Sequence, residues 1–248
     1  MTVFFIGAGP GDPELITVKG QRLIRSCPVI LYAGSLVPAA VLEGHRAEQV
    51  VNSAELNLEQ IIGLIKVAHE KGQDVARVHS GDPSLYGAIG EQIRHLRELG
   101  IPFQIIPGVT AVAACAALLE TELTLPDIAQ SVILTRYADK TTMPAGEAFA
   151  SLASHATTMA VHLGVNHLER IVAELLPHYG ADCPIAVVHR ATWPDQDWAI
   201  GTLADIVEKV AAKGFRRTAL IVVGRVLASD HFSESSLYRA SHAHLYRP

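Results

Sequence analysis

The sequence lacks the cysteine pairs that zinc sites, disulfide frameworks and dithiol redox motifs require. Its three cysteines, Cys27, Cys115 and Cys183, lie far apart in a chain of 248 residues. We therefore expect reduced thiols in a cytoplasmic protein. The first six residues carry no basic group ahead of their apolar run, so we expect no signal peptide at this position.

Long apolar runs and blocks of one charge are also missing. No apolar stretch reaches the length of a membrane span, so we expect no membrane partner. The net charge is −5, and lysine and arginine are scattered, which argues against nucleic acid as the main partner. The chain as a whole is 49% hydrophobic, with a mean hydropathy of +0.26. This composition is enough to bury a sizeable core.

Apolar runs of strand length alternate with amphipathic stretches of helical spacing along the whole chain. The predicted strands are 3–6, 29–32, 49–52, 75–79 and 103–106, and then 131–135, 158–163, 185–189, 198–202 and 219–223. The predicted helices are 16–24, 58–69, 85–99, 111–119, 146–153, 168–176 and 203–211. This alternation predicts two α/β lobes, 1–114 and 115–248, each with a mostly parallel sheet flanked by helices. The tail after residue 228 is expected to be poorly ordered.

In such sheets the ligand lies beyond the carboxyl ends of the strands, so the opening loop is of interest. Gly7 and Gly9 fit a dinucleotide fingerprint, but Asp12 takes the place of the third glycine, where it would repel a pyrophosphate. Asp12-Pro13 also suits a helix start, and Asp82-Pro83 repeats the device after another predicted strand. Each aspartate is therefore either a helix cap or part of a ligand site that the two loops share.

Four motifs occur together in one order. They are the Gly7–Asp12 loop, Ser80-Gly81-Asp82-Pro83 with Gly87, Pro107-Gly108-Val109-Thr110-Ala111, and Leu220-Ile221-Val222-Val223-Gly224. Together they resemble the tetrapyrrole methyltransferases. The resemblance implies S-adenosylmethionine as co-substrate, a tetrapyrrole as methyl acceptor, an active-site cleft between the two lobes, and a homodimer.

Further stretches resemble the branch of this family that methylates C-11 of precorrin-4 in cobalamin synthesis. They are residues 31–37, 123–127, 132–136 and 191–195. Members that methylate uroporphyrinogen carry a Tyr-Asp-x-Leu-Val pattern, whereas this chain has Ala33-Gly34-Ser35 after Tyr32, which speaks against that reaction. Leu163 stands where a methionine is frequent in the family, and we expect it to keep the same packing role.

The family's cofactor pocket can be carried over to matching positions. These are Pro10, Ser80, Gly81, Asp82, Leu85, Thr110, Ala111, Leu163, Ala186, Ala191, Thr218, Ala219 and Leu220. Alanine, leucine and threonine suit an adenine slot, and the start of the helix at Ala111 suits the carboxylate of the methionine moiety. Without the resemblance, Leu163, Ala186 and Ala219 would be assigned to the core.

A sulfonium methyl is already activated, so the predicted reaction needs no nucleophilic side chain, and we assign no catalytic base. The many carboxylates of the substrate require cations in the site. Arg136 is the leading candidate because guanidinium binds carboxylate in a bidentate manner, and Arg190 and His79 follow. The alternatives are a surface position for the arginines and a core position for His79.

A metal site is not expected, since no metal-ligand spacing occurs among the histidines. Those considered are His162, His167, His178, His189, His242 and His244. Two other function classes stay open, a nicotinamide-dependent oxidoreductase and a tetrapyrrole-binding module without turnover. Within the leading class, another precorrin methyltransferase remains an alternative, and the substrate is either metal-free or cobalt-bearing, with the metal-free form favoured.

Overall fold

The computed structural model describes residues 1–138, 142–229 and 232–235, so His242 and His244 and most of the tail lie outside the described residues. The chain divides into two compact units. The first comprises Met1–Ala114 with Thr192–Pro194, and the second comprises Cys115–Ala191 and Asp195–Pro248. The division into domains at residue 114 stays a prediction. The short segment 192–194 packs with the first unit, which a single boundary does not anticipate.

The first unit is built on a parallel sheet of five strands in the order β3-β2-β4-β1-β5. The strands are β1 Val3–Gly7, β2 Val29–Tyr32, β3 Gln49–Asn52, β4 Val75–His79 and β5 Phe103–Ile106. Parallel strands inside a two-faced core read as nearly continuous apolar runs, as β1, β2 and β4 do here. The predicted positions of these strands are confirmed.

Both faces of the first sheet are covered by apolar side chains. The helices of this part of the chain are α1 Val18–Ser26, α2 Leu58–Glu70, α3 Ile89–Glu98 and α4 Ala111–Leu118. One face packs Phe5 against Ile65 of α2 and Leu96 of α3, and the other packs Ile6 against Ile24 of α1. The central strands are therefore rigidly held, which fixes the positions of the loops that follow them.

The predicted helix over residues 85–99 begins later than expected. α3 starts at Ile89, and the residues before it form an irregular loop in which Tyr86 and Ala88 have left-handed backbone, with φ of 56° and 50°. A left-handed residue cannot continue a right-handed helix. The loop after β4 therefore runs from Ser80 to Ala88.

The second unit contains a mixed sheet in the order β6-β7-β10-β8-β9. The strands are β6 Val132–Arg136, β7 Thr158–His162, β8 Pro184–His189, β9 Asp197–Thr202 and β10 Ala219–Val223. Helices α5 Phe149–Ala153, α6 Leu168–Tyr179 and α7 Ile206–Lys213 contribute to one core with this sheet, around Met159, Ile171, Leu175 and Ile221.

The α/β prediction is confirmed for both units, but the expectation of a mostly parallel second sheet is wrong in detail. Only β6 and β7 pair in parallel, whereas β10 is antiparallel to β7 and β8, and β8 is antiparallel to β9. Strands joined through a helix do run parallel, as β7 and β8 do on either side of β10. The antiparallel pairs arise because two such strand–helix–strand pieces interleave, which local periodicity does not reveal.

Among the residues that the structure describes, no helix is both long enough and apolar enough to span a membrane.

Candidate active site

Three loops of the first unit meet at the carboxyl edge of its sheet. They follow β1, β4 and β5, which are neighbours in the sheet with β1 in the middle. Gly7 lies opposite His79, and Ile6 lies opposite Ile106, so the three strands end at nearly the same level. The predicted cofactor residues Pro10, Ser80–Asp82, Leu85 and Thr110–Ala111 belong to these three loops. The structure therefore brings the first-unit members of the predicted set together.

The three loops approach each other backbone to backbone at glycines. Gly81 N–H donates to the carbonyl of Gly9 over 2.7 Å, and the reverse bond measures 3.3 Å. A Cβ placed on Gly7 would lie 2.6 Å from Gly81 O, and one on Gly108 would lie 2.2 Å from the same oxygen. No residue with a side chain fits either position without moving backbone. The motif glycines thus set the spacing of the loops.

Asp82 joins two of these loops. Its Oδ2 accepts the Gly108 N–H at 2.9 Å, and its Oδ1 accepts the Ser84 N–H at 2.8 Å and the Ser84 hydroxyl. Partial burial raises the pKa of Asp82, but these hydrogen bonds outweigh it, so the pKa lies below its ordinary value. The Asp82 carboxylate therefore holds the loops after β4 and β5 together, and both of its oxygens already accept hydrogen bonds.

Asp12 caps a short helical turn, as one of its two interpretations predicts. Its Oδ1 accepts the Glu14 N–H at 2.8 Å, and Pro13 opens the 3-10 turn Pro13–Leu15. Thr110 caps α4 in the same way, because its hydroxyl accepts the Ala113 N–H at 3.2 Å. Both residues hold the ends of the loops that follow β1 and β5.

Two residues from far along the chain complete the opening loop. The indole N–H of Trp193 donates to the carbonyl of Pro10 over 2.9 Å, and the Asp12 N–H donates to the Thr192 hydroxyl over 3.0 Å. Sequence reasoning used Trp193 only as part of a family pattern and missed this contact. The proximity of Trp193 to the opening loop cannot be predicted from the sequence, because the two are brought together only by the fold.

A buried polar cluster lies below the loop after β4, and Arg77 in it was missed by sequence reasoning. Arg77 donates to Gln92 Oε1 at 3.1 Å and to the carbonyl of Leu31 at 3.3 Å. Gln92 in turn donates to the carbonyl of Ala88 at 3.0 Å. Burial lowers the pKa of Arg77 to about 10. This network ties β4 to the end of β2 and to the start of α3.

The role predicted for His79 requires correction. His79 is only 4% exposed, and its Nε2 has no hydrogen-bond partner. Burial, together with the charge of Arg77, lowers the pKa of His79 to about 3, so the ring is neutral at physiological pH. A neutral buried imidazole cannot serve as a cation for substrate carboxylates, and the core alternative describes this residue better.

In the second unit, the predicted residues gather at one edge of the mixed sheet. Arg136 pairs with His162, and Ala219 pairs with His189, so the ends of β6, β7 and β8 meet the start of β10. The Arg190 N–H donates to the carbonyl of Thr218 at 2.9 Å. Because β10 runs the opposite way, its first residues belong to the same edge as the last residues of its neighbours.

Three of the residues at this edge have left-handed backbone although they carry side chains. The φ angles are 56° at Leu163, 48° at Arg190 and 51° at Thr218. Leu163 is also 69% exposed, which is unusual for a large apolar side chain. Strained backbone of this kind concentrates at functional sites. The exposed Leu163 is therefore available to an apolar ligand group.

The other predicted positions of the second unit lie deeper. Ala186 and Leu220 lie within β8 and β10 and are buried, as is Ala191 just beyond β8. Ala186 and Leu220 are outside the core cluster around Ile171 and Leu175, so they lie on the opposite face of the sheet.

The two arginines predicted to bind substrate differ in their surroundings. Arg136 is half-buried at the end of β6 and donates to the carbonyl of Thr142 at 3.1 Å. Arg190 forms an ion pair with Asp195, which offsets part of its charge. Both arginines are therefore held by neighbouring groups, and which of them binds a substrate carboxylate stays a prediction.

Metal-ligand groups and reactive thiols are not found in the described part of the chain. No three histidine, cysteine or carboxylate side chains there are grouped to hold a metal ion. The three cysteines are buried, and burial raises the thiol pKa to about 12 at Cys27 and Cys115 and to about 11 at Cys183. Thiols with such pKa values are unreactive.

A cavity of about 340 Å³ lies in the second unit. It is lined by residues 165–170 and by Val207, Val210, Ala211 and Phe215, and it contains none of the predicted site residues. The candidate site is therefore identified by the residues of the strand-end loops and not by this cavity.

Comparison with known proteins shows the family of this chain. The family model of the tetrapyrrole (corrin/porphyrin) methylases matches residues 2–207. The chain is 73% identical to a precorrin-4 C(11)-methyltransferase of Pseudomonas aeruginosa, over 100% of this chain and 99% of the relative.

Two solved structures share the fold. One, a cobalt precorrin-4 methyltransferase, superposes with a TM-score of 0.89 at 40% identity, covering 92% of this chain and 96% of that one. Another, a uroporphyrin-III C-methyltransferase from Thermus thermophilus complexed with S-adenosylhomocysteine, gives a TM-score of 0.72 at 29% identity, covering 92% and 99%. The resemblance drawn from the four motifs is confirmed, and this chain belongs to the tetrapyrrole (corrin/porphyrin) methylases.

Proposed function

We propose that this chain is an S-adenosylmethionine-dependent C-methyltransferase that methylates C-11 of precorrin-4 to give precorrin-5 in cobalamin biosynthesis. The observation that carries the proposal is the 73% identity, over the whole chain, to a relative named for this reaction. The motif residues of the family are present in order, and those of the first unit gather at one sheet edge. The cleft that the resemblance implies stays a prediction.

The proposed cofactor residues divide into two groups. In the first unit, Pro10, the Ser80–Asp82 turn with Leu85, and Thr110–Ala111 would hold S-adenosylmethionine largely through backbone groups, because these loops meet at glycines. The start of α4 suits the carboxylate of the methionine moiety. In the second unit, the exposed Leu163 would supply apolar contact, and so would its companions at and beside the same edge. These companions are Ala186, Ala191, Thr218, Ala219 and Leu220.

The reaction requires positioning rather than a reactive side chain. An electron pair from C-11 of the macrocycle forms the new carbon–carbon bond, the methyl–sulfur bond breaks, and S-adenosylhomocysteine leaves with the sulfur lone pair restored. Rate enhancement would come from holding carbon, methyl and sulfur in line and from excluding water. We assign no general base.

Arg136 would bind a carboxylate of the tetrapyrrole. It is half-buried at the end of β6, where a guanidinium is partly desolvated and therefore binds anions more strongly than at a fully exposed position. Arg136→Ala should weaken tetrapyrrole binding about ten-fold or more and leave S-adenosylhomocysteine binding unchanged. Calorimetry with each ligand measures both effects, and an unchanged tetrapyrrole affinity would remove Arg136 from the site.

The macrocycle is proposed to be metal-free, with the cobalt-bearing form as the second candidate. The 73% identical relative is named for precorrin-4, whereas the structural neighbour with a TM-score of 0.89 is named for cobalt precorrin-4, which favours keeping the second candidate. Incubation of the protein with methyl-labelled S-adenosylmethionine and each macrocycle, followed by mass spectrometry and NMR, tests both. One labelled methyl at C-11 supports the proposal, and the faster substrate identifies the macrocycle. No transfer to either substrate would contradict it.

A homodimer in the cytoplasm completes the proposal. The dimer is supported by the family resemblance, and sedimentation equilibrium tests it directly. The cytoplasmic location is supported by the scattered, buried cysteines, which suit a reducing compartment.

A further inference from the structure

The segment Thr192–Pro194, which we call the strap, packs on the opening loop of the first unit although 180 residues separate Asp12 from Thr192. Two of its side chains form hydrogen bonds to that loop. The Trp193 indole N–H reaches the Pro10 carbonyl at 2.9 Å, and the Thr192 hydroxyl accepts the Asp12 N–H at 3.0 Å. Nothing in the cofactor set predicted from the family includes either side chain.

These two bonds take up the backbone groups on both sides of Gly11. Proline has no N–H, so the carbonyl is the only backbone group of Pro10 that can form a hydrogen bond. The segment from Pro10 to Asp12 is therefore held by the strap and, at Asp12, also by the turn that follows it, where the Asp12 carbonyl accepts the Leu15 N–H at 3.1 Å. A loop held by two distant side chains depends on them for its conformation.

Gly11 and Trp193 fit each other sterically. A Cβ on Gly11 would lie 2.3 Å from Trp193 Cδ1 and 2.5 Å from its Nε1. The φ of Gly11 is not in the left-handed region, so this glycine is required for space and not for its backbone conformation. The indole thus occupies the volume that any other residue at position 11 would fill.

The strap also keeps a strained residue. Thr192 has φ of 72°, which is unfavourable for a β-branched side chain. Glycine would relieve this strain, but it would remove the hydroxyl that accepts the Asp12 N–H. Strain retained together with a specific hydrogen bond indicates a functional constraint.

We infer that Thr192 and Trp193 are positioning residues that hold the Pro10–Asp12 segment in the conformation that binds S-adenosylmethionine. The inference rests on the proposed function, because it takes Pro10 as a cofactor contact. The two residues act through the opening loop and do not take part in the methyl transfer.

The first experiment measures S-adenosylhomocysteine binding by calorimetry. Trp193→Phe keeps an aromatic ring but loses the N–H donor, and Thr192→Val keeps the shape but loses the hydroxyl. Each should weaken binding about two- to ten-fold, which corresponds to one neutral hydrogen bond. Trp198→Phe is the matched control, because Trp198 lies on β9 and is 39% exposed. The affinity of this variant for S-adenosylhomocysteine should stay within about two-fold of that of the parent.

A double-mutant cycle separates positioning from general stability. Gly11→Ala should weaken binding strongly in the parent, where its Cβ meets the indole, but much less when combined with Trp193→Ala, which removes the obstruction. A role confined to stability predicts that the losses in affinity disappear at a temperature where every variant is fully folded.

Fluorescence supplies an independent readout. The chain has two tryptophans, so Trp198→Phe leaves Trp193 as the single emitter. The emission of Trp193 should change on addition of S-adenosylhomocysteine and should not change on addition of buffer alone.

The outcomes distinguish the two proposals. If the parent protein does not bind S-adenosylhomocysteine, the proposed function fails. If the parent binds and Trp193→Phe, Thr192→Val and the Gly11–Trp193 cycle leave the affinity unchanged, the inference is overturned and the proposed function stands. If one of these three tests fails because a variant does not fold, the affinities measured in the other two decide whether the inference holds.

Discussion

Both sheets end in loops with left-handed backbone, but the two units use different residues there. In the first unit, the loops that follow β1, β4 and β5 touch at glycines, of which Gly9 and Gly81 have φ of 81° and 60°, and the left-handed Tyr86 and Ala88 lie outside these contacts. In the second unit, the corresponding edge has Leu163, Arg190 and Thr218 in left-handed backbone. Glycine would suit all three conformations better, so the side chains themselves must be needed in the second unit.

The difference indicates two ways of making a site. Where backbone is packed against backbone, as at Gly7 and Gly108, there is room only for main-chain groups, and we expect ligand contact there from N–H and C=O groups. Where left-handed backbone carries an exposed side chain, as at Leu163, we expect contact from the side chain. The first arrangement should tolerate no substitution, and the second should tolerate glycine at the expense of binding.

The largest effect is expected at the glycine edge. Gly108→Ala would place a Cβ 2.2 Å from Gly81 O and 2.8 Å from the Gly7 Cα, so backbone must shift. We expect a loss of about 3 kcal/mol in the free energy of unfolding, measured by urea denaturation. Gly63→Ala in α2 is the matched control, since nothing lies within 4 Å of its Cβ. It should stabilise the protein by about 0.5–1 kcal/mol, and similar effects of both substitutions would contradict the comparison.

The next effect is a pH dependence that distinguishes two strand-end histidines. The pKa of His79 falls from 6.5 to about 3 on folding, so between these values the unfolded chain binds a proton that the folded chain does not. Stability should therefore be lost as pH falls below 6.5, by up to about 1.4 kcal/mol per pH unit from this group alone. His79→Leu should reduce the slope measured by urea denaturation at a series of pH values.

His162, at the end of β7, is the counterpart for that experiment. Burial also lowers its pKa, but the residue is only half-buried. His162→Leu should therefore change the pH slope less than His79→Leu does. Equal slopes in the two variants would show that burial at the two sheet edges is equivalent.

A smaller effect is expected at the strained edge. Leu163→Gly should raise the free energy of unfolding by about 1 kcal/mol, because left-handed backbone suits glycine, and should weaken S-adenosylhomocysteine binding. Ala156→Gly is the control, since Ala156 is exposed with φ of 48° and lies outside the predicted site. It should stabilise similarly and leave binding unchanged. A destabilised Leu163→Gly with normal binding would assign Leu163 to packing.

The smallest effect concerns the ion pair between Arg190 and Asp195. Both side chains are partly exposed, at 31% and 56%, so solvent screens the attraction. Asp195→Asn should change the free energy of unfolding by less than about 1 kcal/mol, and that change should diminish further in high salt. Thermal denaturation at two salt concentrations measures it, and a larger loss would show that the pair supports the second edge.

Local patterns predicted the elements of this protein well, because buried strands and amphipathic helices have distinct periods. The loops at Gly7, Gly81 and Gly108 were identified from Gly-Asp-Pro and Pro-Gly turns after apolar runs. The positions of Thr218 and Ala219 were carried over from the family, and the antiparallel course of β10 supplies the reason that they join the other residues. Which residues bind the cofactor stays a prediction.

Other features could not be predicted from the sequence. His79 looked like a candidate cation, but its burial and the neighbouring charge of Arg77 make it neutral, and both depend on packing. The role of Arg77 is not predictable from a single arginine in an apolar strand, because it depends on hydrogen bonds to Gln92 and to the carbonyl of Leu31. Partners that lie far apart in sequence leave no local signal.

The sequence by itself determined the family, the alternation of strands and helices, and the glycine turns, because these depend on short-range sterics and periodicity. The tertiary structure decided how the strands of the second unit interleave, where Trp193 and Thr192 pack, and which charges are buried. These depend on contacts between residues distant in the chain, such as the 183-residue separation between Pro10 and Trp193, and only the folded chain brings such residues together.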